Sequence, residues 1–236
     1  YWKKVMQIAR NSTMQRILRT VQIMGRSESD SLQASQIIYP CMQAADIFQL
    51  KADICQLGMD QRKVNVLARE IGPKLGLWKP VVVSHHILMG LTQPAQTKGE
   101  DKTDRTIALK MSKSSPDSAI FMTDTEDDIK RKIKNAWCPE KQITENPILE
   151  YNKYIIFEKF KSLKLERPAK FGGDLEFASY QELEKSFAEG KLHPMDLKTA
   201  TAKHINELIK PIRDHFEKNA KAKKLLEEVN SFQVTR

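Results

Sequence analysis

The sequence predicts an α/β sheet domain in its first half and an all-helical domain in its second. Three observations carry that expectation. KPVVVSHHIL (79–88) opens as a β-branched run, the kind found in buried parallel strands. ADICQLG (52–58), DQRKVNVLAREIG (60–72) and that run follow one another as strand, helix and strand, the order of a βαβ unit. Beyond Thr123 the apolar spacing turns helical and no run reads as a strand. The domain boundary is therefore placed between 123 and 124.

Each element has a local reason. Residues 1–26 read as a helix, with Val5, Ile8, Ile17, Leu18 and Val21 on an apolar stripe. SESDS (27–31) is a polar break rich in capping residues. ASQIIYP (34–40) is a short apolar run that stops at a proline. Pro40 suits the first turn of the next helix, CMQAADIFQL. The strand 52–58 ends at Gly58. Asp60 is placed to cap the following helix and Gly72 to end it. Residues 91–115 form a polar loop too long for an ordinary connection, which suggests a functional segment. TDTEDDIKRKIKNAW (123–137) starts a helix with a Thr125/Asp128 capping box and acids in its first turn. Further helices fit 147–163, 179–189, 196–218 and 219–230. KNAKAKK (218–224) reads as a solvated helix face or a junction.

Composition narrows the function classes. The 236 residues carry 39 Lys and Arg against 30 Asp and Glu, a formal net charge of +9. That balance favours a phosphate-rich partner, although it also serves a merely solubilising surface. The three cysteines (Cys41, Cys55, Cys138) form no C-x-x-C pair, which fits a reducing, cytoplasmic setting better than a disulfide framework. No apolar run has transmembrane length and no signal peptide opens the chain, so no membrane partner is expected. The chain opens in mid-helix without methionine, so further sequence is expected upstream.

Four groups of residues could carry chemistry. Tyr39, Gln43 and Asp46 fall at i, i+4 and i+7 and share one side of a helix, beside Ile47 and Leu50. Polar groups next to an apolar stripe are costly unless paired. They form either an internal network or a pocket for a small polar ligand. Asp60 and Gln61 follow the strand ending at Gly58, and the carboxyl ends of parallel strands are where open α/β sheets bind ligands. Asp60 could take ribose hydroxyls, or simply cap its helix. His85 and His86 would point to opposite faces of a strand, and no metal site is expected there. LKMSKSS (109–115) puts Lys110 and Lys113 three apart on the long loop. Aimed at a triphosphate, they would neutralise charge as pyrophosphate leaves; as a lone charge run they would be solvated. There is no G-x-G-x-x-G, Walker or G-x-S-x-G sequence.

KMSKS (110–114) resembles the second signature of class I aminoacyl-tRNA synthetases. YPCMQAADIFQLKADICQLGMDQRK, WCPEKQITENPILEY, RPAKFGGDLEFASYQELEKSFAEGKLHPMDLK and the closing EL-I-PIR segment resemble the eukaryotic and archaeal tyrosyl-tRNA synthetases, in that family's order and over nearly the whole chain. The resemblance implies the C-terminal half of a Rossmann-like catalytic fold, followed by a helical anticodon-binding domain. It implies tyrosine activation with ATP and transfer to tRNA(Tyr), with Mg²⁺ as counter-ion, no tightly bound cofactor, and a homodimeric parent enzyme. Asp46 would accept the phenolic hydroxyl of tyrosine, and Tyr39, Gln43 and Gln61 would hold its amino group and flank its ring. Asp60 would bind the ribose, the backbone at Ile87 and Leu88 would face adenine, and Lys110, Met111 and Lys113 would lie over the phosphates. Phe171 and His193 would sandwich the first anticodon base while Asp196 hydrogen-bonds it. On sequence alone, Phe171 and HPMD read as core and helix-start residues.

Two departures from the family pattern matter. The other class I signature, His-x-Gly-His or a close relative, is absent from the five histidines. The loop between Gly90 and Lys110 is longer than the family's and reads as an insertion. The chain alone is therefore expected to have little activity. The alternatives are a tryptophanyl-tRNA synthetase, against which Asp46 argues because indole has no hydroxyl, and a non-catalytic tRNA-binding module.

Overall fold

The computed structural model describes residues 1–21, 32–94, 105, 109–111 and 115–232, with the side chain of Phe171 excepted. They divide into two compact units, Tyr1–Ile87 with Thr97–Lys110, and Leu88–Gln96 with Met111–Arg236. Among the described residues no helix is long and apolar enough to cross a membrane.

In the first unit the expected opening helix is two helices, α1 (Trp2–Arg10) and α2 (Met14–Leu18). The break lies at Asn11, Ser12 and Thr13. Asn11 Nδ2 donates to the Gln7 carbonyl at 2.8 Å, Ser12 Oγ donates to Ile8, and Thr13 caps the next helix by accepting from Arg16 N. Short polar side chains that compete for backbone groups end helices in this way. The later part of the predicted helix and the SESDS break lie outside the described residues. Helix α3 (Ala34–Gln49) runs unbroken through Pro40, which sits inside it and not at a helix start. Gln33 and Gln36 form its capping box, so the helix starts at Ala34, ahead of the proline.

Strand β1 (Ile54–Gly58) leads through a 3₁₀ turn (Met59–Gln61) into α4 (Arg62–Lys74), and β2 (Val81–His85) pairs with β1 in parallel. The βαβ unit is as predicted, with register Cys55 to Val82. Two local expectations fail. Gln61, not Asp60, is the N-cap of α4. Gly72 lies within the helix, which continues through Pro73 to Lys74. Nor is β2 buried. Val81 and Val83 are exposed, because only the face bearing Cys55 and Val82 meets the core. That core joins Val5 and Ile8 of α1, Ala44 and Phe48 of α3, and Val64, Leu67 and Ile71 of α4. Trp78 closes it, edge-on to Phe48 at 5.4 Å, with its Nε1 donating to the Ala52 carbonyl.

In the second unit α5 (Glu126–Asn135) starts at the predicted Thr125/Asp128 capping box. The segment expected as one helix over 147–163 is α6 (Pro147–Tyr151), a π turn (Asn152–Ile156) and α7 (Phe157–Lys159). Buried Asn152 ties that turn down, donating to the Ile148 carbonyl and to Thr201 Oγ1, both at 2.8 Å. The unit is not wholly helical. β3 (Leu163–Leu165) and β4 (Leu175–Phe177) form a short antiparallel pair. Strands of three residues are too short for alternation to stand out in the sequence. Helices α8 (Tyr180–Ala188), α9 (Pro194–Lys218) and α10 (Ala220–Ser231) follow, and Asn219 serves as the junction between the last two. The core gathers Ile129, Ile133, Leu149, Leu163, Leu183, Phe187, Leu197 and Ile205. A buried cation is satisfied within this unit: Lys132 Nζ donates to Asp124 at 2.7 Å and to the Ala119 carbonyl, and lies 4.6 Å from the Phe121 ring.

Candidate functional site

Helix α3 and the turn after β1 bring together the residues expected to handle small ligands. Gln43 Nε2 donates to Gln61 Oε1 at 2.8 Å, so two residues eighteen apart in sequence meet. Asp46 lies on the same helix, one turn on. Its carboxylate accepts a hydrogen bond from the Tyr1 phenol at 2.6 Å, and that hydroxyl also reaches the Met42 carbonyl. Burial first, then the Asp46 carboxylate, pushes the Tyr1 phenol up to about 12. Sequence reasoning missed this partner, since reach across 45 residues leaves no local signal. Tyr39 stands exposed a turn before Gln43.

Because Gly58 has no side chain, the Asp60 carboxylate folds back over it. A Cβ there would lie 2.7 Å from Asp60 Oδ1 and 3.3 Å from Ile87. Freed from capping α4, Asp60 instead meets Lys110, whose Nζ lies 3.4 Å from Asp60 Oδ2. The first lysine of KMSKS and the acid after β1 therefore face one another, with Gly58 and Ile87 beside the acid. Lys113 lies outside the described residues. Leu88 and Met111 belong to the second unit, where the Tyr151 hydroxyl reaches Met111 Sδ at 3.8 Å.

A separate recess opens in the second unit at the start of α9. Its volume is about 470 Å³, and Glu140, Lys141, Arg167, Leu192, His193 and Asp196 line it. His193 is the N-cap of α9, its Nδ1 accepting from Met195 N at 3.2 Å. Helix start and recess wall are thus one role, not alternatives. Asp196 Oδ2 lies 3.9 Å from Arg167. Arg167 was not anticipated. It is nearly buried and anchored by its Nε to the Gly173 carbonyl, in a turn where Gly172 and Gly173 both take left-handed backbone angles. The preceding RPAKFGGD was legible as a motif, but not the direction of its arginine. The Phe171 side chain is outside the described residues.

With that geometry in place, the family model for tRNA synthetases class I (W and Y) matches residues 1–210. The chain belongs to this family. Among curated relatives, the cytoplasmic tyrosine–tRNA ligase 1 of Arabidopsis thaliana is 50% identical over the whole chain, which spans 58% of that protein. A crystal structure of tyrosyl-tRNA synthetase from Pyrococcus horikoshii, complexed with L-tyrosine, superposes with a TM-score of 0.86 at 40% identity. It covers 97% of this chain and 65% of that one. The tryptophanyl-tRNA synthetase of Aeropyrum pernix gives a TM-score of 0.61 at 17% identity, which shows a shared fold alone. The class I synthetase fold and a eukaryotic and archaeal tyrosyl-type relationship, read from KMSKS and its neighbours, are thus borne out. The tryptophanyl alternative is the weaker one.

Proposed function

We propose that this chain carries the tyrosine- and ATP-handling side chains of a tyrosine–tRNA ligase in residues 1–123, and its anticodon-reading side chains in residues 124–236. The observation that carries this reading is the pairing of Gln43 with Gln61 and of Asp60 with Lys110, each joining residues expected to share one substrate. In the full-length cytoplasmic enzyme the tyrosine carboxylate attacks the α-phosphorus of ATP. A new O–P bond forms, the bond to the β-phosphate breaks, and pyrophosphate leaves. The 3′-terminal ribose hydroxyl of tRNA(Tyr) then attacks the tyrosyl carbonyl and AMP departs. No side chain becomes covalent, so the protein works by positioning and by aimed charge.

In this scheme Asp46 accepts the substrate's phenol, exchanging Tyr1 for a donor of the same chemistry. Gln43 and Gln61, already joined, hold the ammonium with Tyr39. Asp60 takes the ribose, the Ile87–Leu88 backbone faces adenine, and Met111 sits between the two lysines. Lys110 swings from Asp60 to the phosphates, joined by Lys113, and Mg²⁺ arrives with ATP as counter-ion. Phe171, His193 and Asp196 take the first anticodon base. The decisive measurement is ATP–pyrophosphate exchange by the full-length, homodimeric protein. We expect dependence on tyrosine. Exchange driven by tryptophan and indifferent to tyrosine would refute the assignment. The isolated chain should show little exchange, and robust turnover by it would show that the first signature is dispensable.

A further inference from the structure

A second cavity, of about 520 Å³, lies in the helical unit between α5 and α9. It sits beside the recess at His193 and Asp196, since Met195 lines this cavity while its neighbours Pro194 and Asp196 line the other. We propose that this cavity is a backbone subsite for single-stranded RNA, taking a ribose-phosphate adjacent to the base held in the recess. The idea rests on the anticodon reading above and adds a place for the strand to run.

Charge bookkeeping supports it. Six charged residues border the cavity. Glu126 pairs with Lys130 at 2.6 Å and Glu166 with Lys203 at 2.6 Å. That leaves Lys134 and Lys198, for which no carboxylate partner is found among the described residues. Lys198 is only half-exposed, and its Nζ donates to the Lys134 carbonyl at 3.0 Å, which holds it at the cavity wall. Burial lowers its pKa, so a bound anion would return part of the charge solvation it has lost. Met195, Ala202 and the lysine stems supply apolar wall between these cations. An apolar wall with cations at its rim matches a nucleotide, which presents a sugar and base face beside a phosphate. The volume also falls in the range of single small-ligand sites and suits one or two nucleotides better than a protein helix.

The test is binding of the full 236-residue chain to a tRNA(Tyr) transcript, by fluorescence anisotropy across a salt series. Each lysine on a single-strand phosphate contributes a slope of about 0.7 in log affinity against log salt. Lys134→Gln with Lys198→Gln should lower the slope by about 1.4 and the affinity by about tenfold. Lys198→Arg should restore most of its share, since the charge returns. Lys134→Gln alone, which breaks no side-chain hydrogen bond described here, keeps the result readable should the Lys198 variant unfold. Lys221→Gln with Lys223→Gln, on α10, is the control for net charge. An equal effect from that control, or an unchanged slope in the cavity variants, overturns the subsite. So does failure of the wild-type chain to bind tRNA. Asp196→Asn separates the two ideas, read with a transcript altered at the first anticodon base. If it leaves discrimination intact while the lysine variants lose affinity, the base reading falls and the subsite stands. If it abolishes discrimination while the lysine variants bind normally, the subsite falls and the base reading stands.

Discussion

At the scale of residues, Asp46 is the informative case. Its spacing from Tyr39 and Gln43 was legible as one helix face, but whether it faced a ligand or a partner within the chain was not. The structure supplies a partner, the Tyr1 phenol at 2.6 Å, and the two readings converge because that partner is itself a phenol. A hydrogen bond to a carboxylate is about twice as strong as one to a neutral acceptor. Asp46→Asn in the full-length enzyme should therefore cost about 1–2 kcal/mol in tyrosine recognition. The preference for tyrosine over phenylalanine in pyrophosphate exchange should fall about tenfold, with the KM for ATP nearly unchanged. An unaltered preference would mean that Asp46 serves Tyr1 and nothing else. Arg167 and Glu140 show the converse limit. They border the recess at His193 through folded contacts that no spacing rule contains.

Elements were legible where their signal was local and long. The Thr125/Asp128 capping box, the βαβ order and the helix start within HPMD all stand as predicted. The misreadings came from treating punctuation as absolute. Pro40 and Pro73 lie inside helices whose ends the sequence reading places beside them, and there packing outweighs the lost backbone hydrogen bond. The helix expected over 196–218 already runs through Pro211, as it does in the structure. Gly72 reads as a helix terminator, yet its role is close approach. A Cβ there would collide with the Trp78 carbonyl and come within 3.2 Å of the Phe48 ring. Helix propensity favours Gly72→Ala by about 1 kcal/mol. Overpacking against a backbone carbonyl costs about 1–3 kcal/mol and should prevail. We expect the variant to be destabilised by up to about 2 kcal/mol in urea unfolding. A variant as stable as wild type would show that the Trp78 turn yields freely. Asp60 is the functional counterpart: the 3₁₀ turn shifts the cap to Gln61 and leaves the Asp60 carboxylate available to Lys110.

At the scale of the whole molecule, the described residues hold two separate hydrophobic clusters, one around α1, α3 and α4 and one around α5, α6, α8 and α9. Composition could show enough apolar residues for a sizeable core but not their division, because a cluster is defined by contacts and not by content. Two cores of this kind allow two cooperative openings. Lys132 offers a lever on one of them. It is 4% exposed, and Asp124 is its carboxylate partner at 2.7 Å. Asp124→Asn leaves a buried ammonium without its counter-charge, a change that costs about 3–5 kcal/mol. Peptide-level hydrogen exchange can localise that cost. Amides of α5 and α9 should exchange about a hundredfold faster or more, while those of α3 and α4 keep their wild-type rates. Equal acceleration in all four helices would show that the two clusters unfold as one.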